Sequence, residues 1–186
     1  MTLCLLAICL VCSALLAGVY ALTAEPIAAA AAAKNEAAIK EVLPEAAVAI
    51  EEERTVEMDG QTYSYNLAYD EQGNTVGCAI NVSALGFGGP IVIKVGFNAE
   101  GLIWNTKVLS QAETPGLGAK CTEPSFSDQF KQFNPAEKSL KVKKDGGDVD
   151  AITASTITSR AYADGLALAV KVFDAIGKTP MLLMEE

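Results

Sequence analysis

An uninterrupted apolar run near the N-terminus restricts this chain more than any other feature. The twenty residues from Leu3 to Leu22 include no charged side chain. As an α-helix with a rise of about 1.5 Å per residue, such a run is roughly 30 Å long, which matches the hydrocarbon core of a bilayer. The run therefore predicts a helix that crosses a membrane once, and we assign residues 1–24 to this anchor.

A cleaved secretory signal peptide is the alternative interpretation of the same run. Signal peptides carry basic residues before a shorter apolar core, whereas no basic residue precedes Leu3. The small residues within Tyr20–Ala24 resemble a cleavage site, so removal stays open. We favour a retained anchor. Its orientation is poorly specified, because the first basic residue after the run is Lys34.

The charged composition excludes several functions. The chain has 23 acidic and 14 basic residues and a net charge of −9, which argues against a nucleic-acid partner. It has no histidine, which excludes Ser-His-Asp triads, histidine acid–base catalysis and histidine metal sites. We expect no catalytic side chain and no metal site formed by this chain alone.

The five cysteines form no metal-binding motif. Three of them, Cys4, Cys9 and Cys12, lie in the apolar run, and only Cys78 and Cys121 lie outside it. No CxxC spacing indicates zinc or an iron–sulfur cluster. A disulfide between Cys78 and Cys121 is conceivable and a metal ligand shared with a partner protein stays open, but packing is the favoured role.

Beyond the anchor, the hydrophobic pattern predicts first a helix and then strands. Residues 25–50 include an alanine run and lie largely between Pro26 and Pro44, which predicts a helical stalk. From residue 51 the period changes to two, which is typical of half-buried antiparallel strands. A short first strand is predicted before the Met58–Gly60 turn. Two hairpins follow: Tyr63–Tyr69 with Val76–Val82, joined by EQGN, and PIVIKVGFN with LIWNTKVLS, joined by Ala99–Gly101. A last strand with Leu140 and Val142 is predicted before the turn DGGD.

Two helices complete an α+β domain over residues 51–186. The first carries three phenylalanines at helical spacing after Ser125, a candidate N-cap. The second is C-terminal and is predicted to end at Gly177. Its apolar face consists of Tyr162, Leu166, Ala169, Phe173 and Ile176. The expected fold is therefore a single transmembrane helix followed by an antiparallel sheet with flanking helices.

Three segments have more glycine or hydroxyl residues than packing alone requires. Two are rich in glycine, GFGGP (Gly86–Pro90) and ETPGLGAK (Glu113–Lys120), which are either ordinary turns or loops that approach a ligand closely. The third has five hydroxyl residues directly before the C-terminal helix: Thr153, Ser155, Thr156, Thr158 and Ser159. One of them could cap the helix, and the N-terminus of a helix also favours a phosphate. Packing and anion binding are both open at this point.

The segment DAITASTITS resembles the flavinylation motif of the FMN-binding domain family. That motif is Asp, two variable residues, Ser or Thr, Gly, Ala, Thr, one variable residue and Thr-Ser, which places Asp150, Thr153, Thr156, Thr158 and Ser159 on the pattern. ETPGLGAK and GFGGPI resemble the family's other segments. With the anchor, the likeness is greatest to the G subunits of Rnf-type ion-translocating complexes, and the C subunits of sodium-pumping NADH:quinone reductases are similar. Ala154 and Ser155 depart from the family's Gly-Ala.

The resemblance implies a covalent flavoprotein. A flavin transferase would join FMN to the Thr156 hydroxyl as a phosphoester, with Asp150 in the recognition sequence. Thr158 and Ser159 would hold the phosphate, together with helix N–H groups. The residues implied to contact the ring and ribityl chain are Thr114, Pro115, Gly116, Leu117 and Gly118.

The resemblance also implies partners and a location. The chain would relay electrons beside A, B, C, D and E type subunits of an Rnf complex, which couples ferredoxin and NAD⁺ chemistry to ion pumping. Its flavin domain would lie on the outer face of the cytoplasmic membrane. Two alternatives stay open: an unflavinylated structural or assembly protein of a membrane complex, and a binding protein that holds its ligand loosely.

Overall fold

A computed structural model describes the backbone of residues 2–182 and the side chains of residues 2–177. The elements are α1 (Thr2–Val42), β1 (Ala49–Ile50), β2 (Arg54–Met58), β3 (Gln61–Tyr69), β4 (Thr75–Leu85), β5 (Pro90–Asn98), β6 (Ile103–Ser110), α2 (Pro124–Ser127) and α3 (Thr156–Leu182). Short 3-10 helices lie at Gly118–Thr122, Asp128–Phe130 and Lys143–Asp145. The α+β class expected from the sequence is confirmed.

The N-terminal unit, through Ala37, is the greater part of one continuous helix. Helix α1 is long and apolar enough to cross a membrane, and its leucine, isoleucine and valine side chains are exposed through Ile27. We expected a separate stalk helix after Pro26, but Pro26 lies inside α1. A proline lacks one backbone donor and does not prevent a helix from continuing when the flanking residues favour it strongly, as the alanines do here. The limits at residues 24 and 50 stay predictions.

The second unit, from Ala38, is built on a six-stranded antiparallel sheet. The strand order is β1-β3-β4-β5-β6, and β2 pairs with β3 on the same edge as β1. The hairpins β2–β3, β3–β4 and β5–β6 correspond to the predicted strand pairs, which are confirmed. Their turns include Gly60, Gly73 and Gly101, which all have positive φ.

Apolar residues cover both faces of the sheet. Alternate residues such as Ile80 and Val95 pack against Tyr162 and Leu166 of α3 to form the main core. The opposite face packs a smaller cluster of Ile39, Val42, Leu43, Ala68 and Ala79, so the last turn of α1 belongs to this domain. Gly96 permits that contact, because a Cβ on Gly96 would overlap the carbonyl oxygen of Val42.

Three local predictions were wrong. Leu140 and Val142 form no strand; Val142 makes a single bridge to Val149, and the chain then turns at Gly146, where φ is 80°. Ser125 is not an N-cap, because α2 begins at Pro124 after Glu123, although Phe126, Phe130 and Phe133 are buried as expected. Helix α3 does not end at Gly177 but continues to Leu182.

Candidate functional site

A cavity of about 420 Å³ lies at the N-terminus of α3. Three segments line it: the loop after β4 through Phe87, the segment from Glu113 to Gly118, and Ala154–Thr158. All three segments were singled out in the sequence, and the sheet brings them together. The volume falls in the range of small-molecule sites.

Helix α3 starts at Thr156, and a compact loop leads into it. The Ser159 hydroxyl donates to the carbonyl of Ser155 at 2.9 Å and accepts the backbone N–H of Ile152 at 2.9 Å. The backbone N–H of Ser155 also donates to the Ile152 carbonyl at 3.0 Å. These bonds fix the residues that precede the helix, so the first turn has a defined position beside the cavity.

The five hydroxyl residues differ in how available they are. Ser155, Thr158 and Ser159 are only 8%, 2% and 0% exposed. The Thr158 hydroxyl donates to a carboxylate oxygen of Glu113 at 2.7 Å, and the Ser159 hydroxyl is used within the loop. The Ser159 N–H donates to the Ser155 carbonyl at 3.1 Å, so both donors of Ser159 are engaged. Thr158 could therefore meet a phosphate only through its backbone N–H, unless its hydroxyl leaves Glu113. Thr156 is half-buried and lines the cavity, and Thr153 is exposed and does not line it.

The glycine loop contributes only part of its length to the cavity. Thr114, Leu117 and Gly118 line it, whereas Pro115 and Gly116 are exposed and do not. The loop is closed by the N–H groups of Leu117 and Ala119, which both donate to the Thr114 carbonyl, at 3.1 and 3.2 Å. Gly116 has a φ of 76°, which explains glycine at that turn.

Glu113 lines this cavity but was not among the site residues named from the sequence, and the same is true of Phe87 and Ile157. Glu113 is 6% exposed and lies on the cavity wall. Its carboxylate oxygens accept the backbone N–H of Gly88 at 2.9 Å and the Thr158 hydroxyl at 2.7 Å. The available signal was an acidic residue directly before a glycine loop, which did not by itself indicate burial.

Asp150 lies outside the cavity, in the segment that leads to it. Its side chain is 71% exposed and forms an ion pair with Lys143 at 2.8 Å. The side-chain amide of Gln129 brackets its backbone, accepting from the Asp150 N–H at 2.7 Å and donating to its carbonyl at 3.2 Å. Asp150 is thus presented to solvent on a backbone that is held in place.

Ala154 stands where the flavinylation motif has glycine. Its φ is 62°, in the left-handed region that glycine adopts without a Cβ penalty. Alanine at this position is tolerated with some strain.

Positive charge lies close to Thr156. The Lys144 ammonium is 3.5 Å from the Thr156 hydroxyl oxygen. Arg160 makes two bonds to Asp145, at 2.6 and 2.8 Å, and this hydrogen-bonded pair lowers the pKa of Asp145 and raises that of Arg160. The N-terminus of α3 adds the positive end of its dipole. The region is suited to an anion.

The cysteines of the domain are free thiols inside the core. Burial raises the pKa of Cys78 to about 12 and that of Cys121 to about 11. Among the side chains of residues 2–177, no group of three or more Cys, Asp and Glu could hold a metal ion.

The cavity has the parts that a phosphorylated flavin requires. Phe87, Leu117 and Ile157 offer apolar surface, and the helix N-terminus with Thr156 offers a place for a phosphate. A helix-anchored α+β domain with such a cavity belongs to the class of membrane-attached flavin-binding proteins. The comparisons with known proteins agree with that class. The model of the FMN-binding domain matches residues 86–171, and the model of the RnfG N-terminal region matches residues 2–42.

The relatives identify the family more closely. The G subunit of the ion-translocating oxidoreductase complex of Methanosarcina acetivorans is 37% identical over 169 residues, which cover 89% of this chain and 88% of the relative. The chain belongs to this family of G subunits. The G subunit of the Na⁺-translocating ferredoxin:NAD⁺ oxidoreductase complex of Acetobacterium woodii is 33% identical over 57% of this chain and 53% of its own length. The matched region therefore spans about half of that relative.

Two solved structures are also similar. The C subunit of the Na⁺-translocating NADH-quinone reductase of Parabacteroides distasonis has 25% identity and a TM-score of 0.45 over 60% of this chain and 66% of that one. Shewanella oneidensis NqrC has 21% identity and a TM-score of 0.48 over 64% of each chain. These scores are too low to carry a functional conclusion.

Proposed function

We propose that this chain carries FMN as a phosphoester on Thr156 and passes electrons within a membrane-bound ion-translocating oxidoreductase. The observation that carries the proposal is the environment of Thr156. This residue lines the cavity as the first residue of α3, whereas the Thr158 and Ser159 hydroxyls are bonded to protein groups. Ser155 is buried, so Thr156 is the best presented hydroxyl of the cluster at the cavity.

Attachment needs a phosphoryl donor and a transferase. The Thr156 oxygen would attack the FMN phosphorus of FAD, the P–O–P bridge would break with AMP as leaving group, and the hydroxyl proton would pass to a base of the transferase. No oxidant or reductant is required. The exposed Asp150 supports recognition of this segment by that enzyme, because its carboxylate is accessible on a backbone fixed by Gln129.

The residues of the cavity have separable roles toward FMN. Backbone N–H groups of the first turn of α3 would face the phosphate, and the Lys144 ammonium would offset its charge. Phe87, Leu117 and Ile157 would exclude water beside the ring, and Thr114 and Gly118 would bound the remaining wall. FMN itself supplies one- and two-electron redox chemistry, which the protein positions.

The family is the basis of our proposal for the complex and the location. We propose that the chain assembles with A, B, C, D and E type subunits, and that α1 is the single-pass anchor of an FMN-binding domain on the outer face of the cytoplasmic membrane. The names of the relatives, which describe parts of ion-translocating and ferredoxin:NAD⁺ oxidoreductase complexes, support this assignment. The length and apolar composition of α1 support a membrane anchor.

In-gel flavin fluorescence after denaturing electrophoresis tests the attachment. The full chain is co-expressed with a flavin transferase, as wild type and as Thr156→Val, with Thr153→Ser and Ser155→Ala as controls that keep the motif. We expect a fluorescent band in the wild type and both controls, and none in Thr156→Val. Fluorescence in every sample would move the attachment to another hydroxyl. No fluorescence in any sample would favour the unflavinylated assembly protein.

A further inference from the structure

Glu113 connects the segments that enclose the cavity. It belongs to the segment after β6, and its carboxylate accepts the Gly88 N–H from the loop after β4 at 2.9 Å. The same carboxylate accepts the Thr158 hydroxyl from the first turn of α3 at 2.7 Å. One side chain therefore fixes the spacing between the two glycine-rich loops and the helix that begins at Thr156.

The glycines around Glu113 leave room for this carboxylate. A Cβ on Gly86 would overlap Oε1 of Glu113, and a Cβ on Gly118 would overlap Oε2. The backbone of Glu113 is itself fixed, because its N–H donates to the side-chain oxygen of Gln111 at 2.6 Å. Both loops are thus shaped around a buried acid, which gives their glycines a purpose besides approach to a ligand.

The charge of this carboxylate is not offset by a cation. None of the ion pairs among the described side chains involves Glu113, and its two donors are neutral. A buried carboxylate without a cation is unfavourable for stability by itself. Its field acts strongly on the adjacent cavity, because burial reduces screening by water.

Resting on the proposed flavin site, we propose that Glu113 is a positioning residue of the cavity and that its fixed negative charge lowers the midpoint potential of a flavin held there. The charge opposes the addition of electrons to a group in the same cavity. The two hydrogen bonds hold the cavity walls at a constant separation. The position of the cavity walls and the potential of the flavin then both depend on Glu113, whose hydrogen bonds go to Gly88 and Thr158 rather than to Thr156.

The matched variants are Glu113→Gln and Glu113→Asp in the full chain, flavinylated and held in detergent micelles. Glutamine keeps the shape of the side chain: its oxygen can accept the Gly88 N–H, and its NH2 group can donate to the Thr158 hydroxyl once that hydroxyl turns to accept. Aspartate keeps the charge but shortens the reach. We expect Glu113→Gln to raise the midpoint potential of the flavin by about 59 mV, which corresponds to a tenfold change in the one-electron equilibrium constant. The potential of Glu113→Asp should stay close to that of the wild type.

Equal potentials for wild type and Glu113→Gln would overturn the electrostatic role, as would an equally large shift in Glu113→Asp. If Glu113→Gln does not fold, Glu113→Asp and Glu113→Asn repeat the charge comparison with a shorter side chain.

Hydrogen exchange of the Gly88 amide in the unmodified chain tests the positioning role separately. We expect Glu113→Ala to accelerate this exchange about tenfold or more, which is the loss of one hydrogen bond, and an unchanged rate would contradict the role. A wild type without covalent flavin would instead refute the proposed attachment.

Discussion

The side-chain amide of Gln129 spans both polar groups of the Asp150 backbone, at 2.7 Å to the N–H and 3.2 Å to the carbonyl. Gln129 lies between the buried Phe126 and Phe130, so the bracket is attached to the core. These bonds hold the segment that leads into α3 in a fixed position relative to the core. Two bonds from a single planar group hold that segment as a short strand would.

Removal of this bracket is expected to destabilise the domain. We predict that Gln129→Ala lowers the free energy of unfolding by about 1–2 kcal/mol, because its side chain loses three hydrogen bonds to the backbone, two to Asp150 and one to the Phe126 carbonyl. Urea unfolding of the full chain in micelles measures the change, and hydrogen exchange at the Asp150 amide locates it. Gln72→Ala, at an exposed turn, is the matched control and should change stability by less than about 0.5 kcal/mol.

Strain at Ala154 predicts a stabilising substitution. Because its φ is 62°, Ala154→Gly should raise the free energy of unfolding by up to about 1 kcal/mol, the relief of the left-handed conformation exceeding the added freedom of the unfolded chain. Ala151→Gly is the control, since Ala151 has no positive φ, and it should be neutral or destabilising. A destabilised Ala154→Gly in urea unfolding would show that the alanine methyl makes a contact worth more than the strain.

The buried Lys94 predicts a pH dependence of stability. Its side chain is 0% exposed and its ammonium has no hydrogen-bond partner among the described residues. Burial lowers the pKa of Lys94 from 10.5 to about 8, a change that the charge of Glu53 partly opposes. Between these values the unfolded chain binds a proton that the folded chain does not, so the contribution of Lys94 makes stability rise with pH.

Lys94→Met removes this penalty. We expect the variant to be more stable than the wild type below pH 8 by on the order of 3 kcal/mol. The difference should shrink as the pH rises from about 8 toward 10.5. Urea unfolding at about pH 7, 8 and 9.5, values chosen to bracket that window, measures it, with the exposed Lys171 changed to Met as the control. A difference in stability between the variant and the wild type that is constant over this range would show that Lys94 is charged in both the folded and the unfolded state.

Lys144 is predicted to interact with the phosphodiester after attachment. Its ammonium lies 3.5 Å from the Thr156 hydroxyl oxygen, within reach of a phosphate on that oxygen. Flavinylation should therefore stabilise the wild type more than Lys144→Gln, by about 0.5–1 kcal/mol at low salt, and the difference should fade at high salt. Lys171→Gln is the control, because Lys171 lies about 22 Å from Thr156 along α3, at a rise of about 1.5 Å per residue. An equal gain in all three proteins would exclude this contact.

The strands could be predicted because their burial repeats every two residues. Val76, Cys78, Ile80 and Val82 alternate in the sequence and lie in β4, where Cys78, Ile80 and Val82 belong to the main core. Val142 also alternates with its neighbours, yet it finds only one bridged partner before Gly146 reverses the chain. A period of two indicates which side chains are buried, but it does not guarantee a neighbouring strand.

The segments around the cavity were singled out in the sequence, but their arrangement was not predicted. The hydroxyl cluster and the glycine-rich segments meet at one cavity. Which hydroxyl is available depends on Glu113, which lies 45 residues from Thr158 and meets it only after the sheet has formed. Such a contact leaves no periodic signal in a single sequence, so the assignment of phosphate contacts to Thr158 and Ser159 did not anticipate that their hydroxyls are engaged.

The burial of the thiols in the domain has a practical consequence for spectroscopy. Cys78 and Cys121 are 2% and 0% exposed, and at neutral pH their raised pKa values leave little thiolate to react with a maleimide. A cysteine introduced on the surface of the domain can therefore be labelled without removal of Cys78 or Cys121, once the exposed Cys4, Cys9 and Cys12 of α1 have been replaced. Thr156→Cys would place a fluorophore or spin label at the mouth of the cavity and allow its solvent access to be followed in the assembled complex.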